Sequence, residues 1–337
     1  VSEILGYLND PRNVLVSALE KALFWKYPWR KDVSGSEALV RAATVKDLQA
    51  IRDAWYVPNN AALFIGGDVD PRAVRAAVEK SFGDWPKAAD PWASPPPPQE
   101  APPRDVLLAF PDEQVSPGVV AVTLRYRGPD VTRDPTATWA ADVWGSLLSD
   151  PNGRFVTEMA RRVPGLYRKD YMSASYRTQR DGGYISFSTL LLLQKGRDTF
   201  GRAVLLKKAF ANLCANMAAD RSYFTKHDFE VLVRQLSDQR IWERETVDGF
   251  LDQLSFWWAT AGIDYYNGYD EALAKVGSPE IATFLQGWVL GKTSVLAVRM
   301  NPDDFAKEKR SAERQGWTVV SADNAYWWKS TKTGGAR

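Results

Sequence analysis

Residues 45–66, "VKDLQAIRDAWYVPNNAALFIG", decide the fold, because residues 278–299, "SPEIATFLQGWVLGKTSVLAVR", repeat their pattern. Each segment carries an acidic residue, a tryptophan and a leucine at intervals of eight: Asp47, Trp55 and Leu63, then Glu280, Trp288 and Leu296. The offset between the segments is 233 residues. Upstream, Leu23-Phe24-Trp25 meets Phe256-Trp257-Trp258 at the same offset, and Glu37-Ala38-Leu39 meets Glu271-Ala272-Leu273 at 234. A shared offset indicates two copies of one unit.

A proline-rich segment separates the copies. Residues 85–105, "WPKAADPWASPPPPQEAPPRD", are typical of an extended linker, because proline disfavours both helix and sheet. We therefore divide the chain into a first copy (1–84), the linker (85–105), a second copy (106–325) and a tail (326–337). If the second copy starts near Val106, the first is expected to start about 127 residues before Val1, and so to be truncated here.

In the first copy, the pattern predicts helices and one short strand. Residues 15–25 have helical spacing, and a Thr44–Asp47 capping box opens a helix that runs toward Trp55. The apolar run Ala61–Ile65 predicts a strand that ends at a glycine pair. Asp70-Pro71 then opens a helix that runs to Gly83.

In the second copy, strands come before most of the helices. Strands are expected near 106–110 and 119–126, from Leu166, and over "GGYISFSTLLLL"; helices are expected over 135–148, 154–162, 199–219, 226–243, 246–261 and 279–289. This order predicts an α+β fold: a duplicated domain with a mainly antiparallel sheet flanked by helices, the first copy being truncated. A doubly wound parallel sheet is the weaker alternative.

Composition excludes several classes of protein. The 337 residues are 45% apolar, and 43 basic against 41 acidic side chains leave a net charge of +2, so neither disorder nor an overall affinity for nucleic acid is expected. No apolar run is long enough to span a membrane. The single cysteine, Cys214, is interpreted as a buried helix residue. The compartment is left open, with a periplasmic or secreted location favoured over the cytoplasm.

The residue patterns for common reactions are missing. Gly66-Gly67-Asp68 follows an apolar run, yet neither nucleotide-binding glycine motif can be written through it. The single histidine, His227, gives H-x-x-E but has Val231 where a second histidine would stand, so it provides neither a zinc site nor a base for a nucleophile. Acid pairs such as Asp264 with Asp270, or Glu3 with Asp10, are interpreted as helix caps or solvated groups. No catalytic residue and no metal ligand is predicted in this chain.

Two aromatic or basic stretches remain as candidates for binding. Aromatic residues cluster at 256–269, where they could stack on sugars or bases, but core packing or contact between domains is favoured. The stretch 154–174, "RFVTEMARRVPGLYRKDYMSA", carries five basic residues and two tyrosines. Guanidinium and phenol groups can donate hydrogen bonds to the carbonyls of an extended peptide. A solvated basic helix face explains that stretch equally well.

The chain resembles the pitrilysin/insulinase family of zinc metallopeptidases. The segment "WYVPNNAALFIGGDVDPRAVRAAVEKSFGDWP" is similar to the closing strand and helix of that family's first domain, and "VSEILGYLNDPRN" to the part after its metal-binding helices. "GRFVTEMARRVPGLY" is similar to the second domain's short helix and glycine turn, and "DYYNGYDEALAKVGSPEIATFLQGWVLGKTSVLAVRMNP" to that domain's end. Together these segments span most of the chain.

The resemblance implies a catalytic site outside this chain. The family's H-x-x-E-H helix and later glutamate would lie before Val1, so zinc is expected in the intact parent protein and none is expected to be bound here. The second copy's counterpart of that helix, "TATWAADVWGSLLS", has no ligand set. The family's substrate-holding pair is an arginine followed seven residues later by a tyrosine. Tyr167 matches the tyrosine, but the spacing points to Ala160, and the nearest arginines are Arg161 and Arg162.

We therefore expect the C-terminal, substrate-binding portion of a zinc metalloendopeptidase that degrades or processes peptides. Its expected partners are a peptide substrate and either the N-terminal part of the same protein or a homologous subunit. One alternative is a non-catalytic partner subunit of a heteromeric peptidase of the same family. The other is a structural scaffold. The residues upstream of Val1 would discriminate the first two, since an intact H-x-x-E-H supports the enzyme.

Overall fold

A computed structural model describes residues 2–26 and 35–329, and the part of the predicted tail beyond Lys329 lies outside the described residues. Within the described part, the first copy forms these helices: α1 (Ser2–Asn9), α2 (Pro11–Leu23), α3 (Glu37–Ala42), α4 (Val45–Trp55) and α5 (Pro71–Phe82).

Side-chain caps fix where these helices begin. Thr44 Oγ1 accepts a hydrogen bond from the backbone N–H of Asp47, and the Asp47 carboxylate accepts one from the Thr44 N–H, which is the predicted capping box. Asp70 accepts from the Arg72 N–H, with Pro71 in the first turn of α5. The sequence signals therefore predict both starts correctly.

The second copy combines a sheet with eight further helices in the described part. The strands are β1 (Val106–Pro111), β2 (Val119–Arg127), β3 (Ser173–Arg177), β4 (Tyr184–Leu192), β5 (Ser294–Met300) and β6 (Thr318–Val319). The helices are α6 (Pro135–Ser149), α7 (Arg154–Arg162), α8 (Thr199–Ala219), α9 (Lys226–Glu243), α10 (Val247–Thr260), α11 (Ile263–Leu273), α12 (Ser278–Trp288) and α13 (Pro302–Arg314).

The strands form one six-stranded sheet in the order β3-β4-β2-β5-β1-β6. The pairs β3–β4, β4–β2 and β2–β5 are antiparallel, whereas β1 pairs in parallel with β5 and β6. The mainly antiparallel α+β prediction is confirmed, and the doubly wound alternative is wrong.

The sheet has two different faces. Alternate residues of β2 and β4, such as Val122, Leu124 and Phe187, point into the main core beneath α6, α8 and α12. The opposite face is covered near β1 and β5 by α1 and α2, where Leu19 and Leu23 pack with Val295. Toward β4 and β3, this second face is only partly buried.

A helix of each copy packs against the other copy. In the first direction, α2 packs on β5. In return, α10 packs on the first copy: Val247 and Leu251 lie against Gly66, and the ring centroids of Phe64 and Trp258 are 5.9 Å apart. At the offset of 233 residues, α2 corresponds to α10, and residues 61–67 correspond to β5. The packing is therefore reciprocal, as expected of a duplicated unit.

Two strand predictions are wrong. Residues 61–65 are extended but pair with no strand in the described part of the chain, so the apolar run alone is not sufficient for a ladder. Leu166 makes only an isolated bridge to Leu191, and the regular strand starts at Ser173, because a short helical turn at Lys169–Tyr171 intervenes.

The linker lacks helix and strand, as predicted, but it is fixed to the second copy through its backbone carbonyls. Thr293 Oγ1 donates to the Pro102 carbonyl at 2.5 Å, and Arg133 Nη2 donates to that of Pro96 at 3.1 Å. Trp92 packs edge-on against Trp55, under the guanidinium of Arg180. These contacts hold it against both copies.

Candidate peptide-binding site

The helix α7 positions the two candidate arginines at its exposed end. Phe155, Val156 and Met159 anchor its apolar side in the main core. Arg161 and Arg162 follow in the last turn, where a positive charge interacts favourably with the helix dipole. Arg162 Nη2 lies 3.5 Å from a Glu158 carboxylate oxygen, and Arg161 has no hydrogen bond or ion pair with any described residue.

A tight turn follows α7 and is held by Arg202, a residue that sequence reasoning missed. Gly165 has φ +78°, a left-handed conformation that disfavours side chains. Arg202, on α8, donates to the carbonyls of Pro164 at 2.7 Å and Leu192 at 2.8 Å. In the sequence, Arg202 is one basic residue in the predicted helix 199–219, and neither its burial nor its partners can be identified from that position.

The turn places Tyr167 on the edge of the sheet. The Tyr167 N–H donates to the Leu190 carbonyl at 2.9 Å, and the Leu192 N–H donates to the Gly165 carbonyl at 2.7 Å. Paired residues share a face of a sheet, so the Tyr167 side chain lies on the second face with Leu190, while Leu166 packs on the main core. Tyr167 is 41% exposed and packs edge-on against Tyr171.

Tyr167 and the two arginines thus flank one turn but stay on different elements. No hydrogen bond, ion pair or ring contact joins Tyr167 to Arg161 or Arg162 in the described residues. All three side chains are exposed. Their role in binding stays a prediction.

The described residues contain no group of three or more His, Cys, Asp or Glu side chains that could hold a metal ion. His227 is exposed at the start of α9. Cys214 is buried in α8, and burial raises the pKa of its thiol. Asp10 caps α2 and pairs with Arg12 at 2.8 Å, and Asp270 pairs with Arg240 at 2.9 Å.

Asp142, on α6, is a partly buried acid that sequence reasoning missed. Burial raises its pKa to about 7, although Tyr269 donates a hydrogen bond to the carboxylate at 2.7 Å. Tyr269 belongs to the aromatic cluster of the sequence, in which Trp257 and Tyr265 stack with ring centroids 5.3 Å apart. The cluster therefore packs α10 and α11 against α6.

We expect Asp142→Asn to change how stability depends on pH. The folded-state pKa lies above the ordinary value of 3.8, so the stability associated with Asp142 is fully present below about pH 4 and is lost as the pH rises through 7. The amide carries no charge, so at pH 8 the variant should be more stable by about 2 kcal/mol, less than the three pKa units imply because the site is only partly buried. Urea unfolding at pH 4, 6 and 8 measures this.

Asp84→Asn is the control, because it removes the same charge from an exposed position. An Asp142→Asn profile parallel to that of the wild type from pH 4 to 8 would contradict the prediction.

No helix among the described residues has the length and apolar character needed to cross a membrane.

Comparisons with known proteins give one family and one fold. The family model described as "Peptidase M16 inactive domain" matches residues 42–235. No curated protein matches the sequence. The peptidase M16 inactive domain from Pseudomonas fluorescens has a similar structure, with TM-score 0.66 and 14% identity, over 87% of this chain and 66% of that one.

Two further structures share the fold. The first half of the periplasmic protease PqqL from Escherichia coli gives TM-score 0.63 at 16% identity, over 100% of this chain and 70% of that one. A chain of complex III2 from Candida albicans gives 0.65 at 11% identity, over 95% and 73%. This chain thus spans about two thirds to three quarters of each of the three.

Proposed function

Because this chain belongs to the family of peptidase M16 inactive domains, we propose that it is the peptide-holding, C-terminal portion of a zinc metalloendopeptidase. The observation that carries the proposal is the end of α7 with its following turn, where Arg161, Arg162 and Tyr167 are exposed and make no side-chain hydrogen bond with described residues except that of Arg162 to Glu158. Such donors bind the backbone carbonyls of an extended peptide.

Zinc belongs, in this proposal, to another part of the intact protein. The described residues offer no ligand set, so they do not fit a zinc ion, and the chain itself binds peptide without cleaving it. A periplasmic or secreted location is part of the proposal, supported by the neighbour described as a periplasmic protease. Cell fractionation tests that location.

The first copy supports the proposed domain division. Ile281 and Phe284 of α12 are each 1% exposed, because α6 and α8 cover them. At the offset of 233 residues, α4 carries Leu48 and Ile51, which are 61% and 54% exposed. We propose that a segment preceding Val1 covers this face as α6 and α8 cover α12. An intact mass of the native protein showing nothing upstream would contradict this.

A non-catalytic partner subunit is the second candidate, because one structural neighbour is a chain of an assembly, complex III2. The residues upstream of Val1 discriminate the two: an intact H-x-x-E-H supports the enzyme, and its absence supports the partner. A pure scaffold would bind no peptide.

Replacing Arg161 and Arg162 by glutamine and Tyr167 by phenylalanine in one variant is expected to weaken peptide binding at least about tenfold. The change removes two charges and a phenol donor, each worth roughly 0.5–1.5 kcal/mol as hydrogen bonds to peptide. Fluorescence anisotropy with a labelled 12-residue peptide of mixed composition measures Kd.

The matched control is Lys309→Gln with Arg310→Gln, on exposed positions of α13, which packs against α8 and β1 and not against β4. Equal affinity of the triple variant and the wild type would overturn the assignment of these three residues. No binding of the peptide by the wild-type chain would overturn the function.

A further inference from the structure

The second face of the sheet carries a set of hydroxyl groups that do not belong to the proposed site at the end of α7. In β2, β4 and β3, the strand register aligns Thr123 with Ser188 and Ser188 with Ser173, and aligns Ser186 with Ser175. Because paired residues share a face, these five side chains lie together on the side away from the main core. We call the set, Thr123, Ser173, Ser175, Ser186 and Ser188, the hydroxyl surface.

The hydroxyl surface is open to solvent. Ser173 and Ser175 are exposed, and Thr123, Ser186 and Ser188 are only partly buried. None of the five hydroxyls makes a hydrogen bond with another residue in the described ranges. A polar outer face is ordinary in an antiparallel sheet with one side in solvent, and hydroxyls without internal partners are free to form hydrogen bonds with a ligand.

Two arginines border the hydroxyl surface at one end. The register places Arg125 beside Ser186, and Arg177 beside Tyr184. The Arg125 guanidinium lies 4.7 Å from the centre of the Tyr184 ring, and its Nε and Nη1 atoms are buried without an acceptor in the described residues. Burial lowers the pKa of Arg125, and the charge of Arg177 lowers it further.

The positive charge at this end is incompletely balanced. Glu20, on α2, interacts with Arg125. Arg177 is exposed and forms no ion pair with any described residue. No acidic side chain belongs to the hydroxyl surface itself. A guanidinium binds a carboxylate well, because two parallel charge-assisted hydrogen bonds can form.

Tyr167 marks the other end of the same face. It pairs with Leu190, six residues along β4 from Tyr184, which is a distance of roughly 20 Å in a strand. The proposed peptide donor and the unbalanced arginine therefore lie on one open face, with hydroxyls between them that can both donate and accept. An extended segment of about six residues fits this length.

We propose that the hydroxyl surface holds an extended peptide that carries an acidic side chain, with the carboxylate bound by Arg177 and assisted by the charge of Arg125. The inference rests on the proposed peptide-binding function and specifies its substrate class. It predicts a charge preference, which peptide binding at the α7 turn alone does not require.

The test compares three labelled 12-residue peptides with blocked termini that differ only in two central residues: Glu-Glu, Gln-Gln or Lys-Lys. Anisotropy is measured with the full 337-residue chain. We expect the Glu-Glu peptide to bind about five- to tenfold more tightly than the Gln-Gln peptide in low salt. The preference should shrink in 0.5 M salt, because part of the site is solvated. Blocked termini exclude a terminal carboxylate as the source of the preference.

Arg177→Gln should reduce the preference to less than about twofold while leaving the Gln-Gln peptide bound. Arg310→Gln is the matched control, since it removes the same exposed charge from α13. Circular dichroism verifies that both variants fold.

Equal binding of the three peptides, or an unchanged preference in Arg177→Gln, would overturn this inference and leave the peptide-binding function standing. No binding of any peptide would overturn both.

Discussion

Asp130→Ala is expected to destabilise the protein by about 3–5 kcal/mol, because it leaves a buried cation without its partner. Arg127 Nη2 lies 3.1 Å from a carboxylate oxygen of Asp130, and the two side chains are only 3% and 5% exposed. The same carboxylate accepts hydrogen bonds from the N–H groups of Gly182 at 2.6 Å and Gly183 at 3.1 Å. Alanine removes all of these acceptors at once. The midpoint and slope of urea unfolding measure the loss.

An exposed ion pair provides the control for the stability loss expected from Asp130→Ala. Arg75 and Glu79 form an ion pair at 2.9 Å on α5, but their side chains are 82% and 64% exposed. Glu79→Ala should cost less than about 0.5 kcal/mol, because water screens the pair. If Asp130→Ala does not fold, adding Arg127→Met should restore folding by removing the orphaned charge. A loss in Asp130→Ala no larger than that in Glu79→Ala would contradict the prediction.

Gly165→Ala should cost about 3 kcal/mol and also weaken peptide binding. A left-handed residue with a Cβ costs roughly 1–2 kcal/mol. Here the added methyl group would also collide with the guanidinium of Arg202 and the amide of Gln194. Arg202 would then lose its hold on the Pro164 and Leu192 carbonyls, and Tyr167 would move from its register with Leu190. Thermal or urea unfolding and peptide anisotropy provide the two readouts.

Gly196→Ala separates the two causes. Gly196 has φ +75°, almost the same as Gly165, but a Cβ there would meet no atom within 4 Å. It should therefore cost only the backbone penalty of about 1–2 kcal/mol and leave peptide affinity unchanged. Equal losses in the two variants would show that the contact with Arg202 contributes nothing.

Local signals in the sequence predict helices well and strands less well. The predicted spans 199–219 and 226–243 coincide with α8 and α9, because each helix has a capping residue and sustained apolar spacing. The strand over 61–65 is not formed, since a ladder depends on a partner strand elsewhere. Four described helices are not predicted, namely α1, α3, α11 and α13. For α11 the start signal is missing, because Gly262 stands at its N-cap and offers no side-chain cap.

Some residues of the candidate sites can be identified from the sequence, and others cannot. Tyr167 and the arginines of α7 are visible as residue types in one short stretch. The hydroxyl surface cannot be recognised in the sequence, because Ser186 and Ser188 form a surface only when strand register places Ser173 and Ser175 beside them. Asp142 is likewise an ordinary helix residue until burial raises its pKa. Long-range pairing, which one sequence does not specify, accounts for both omissions.

Because α2 and α10 each pack against the other copy, the linker at 85–105 does not separate two units that fold independently. The sheet of the second copy is closed on one side by α2, which the sequence assigns to the first copy, and α10 contacts residues of the first copy in return. A protease that cuts within the linker would therefore release no self-sufficient piece. The two products would stay associated as a nicked complex, and each would expose an apolar face if it were pulled away from the other.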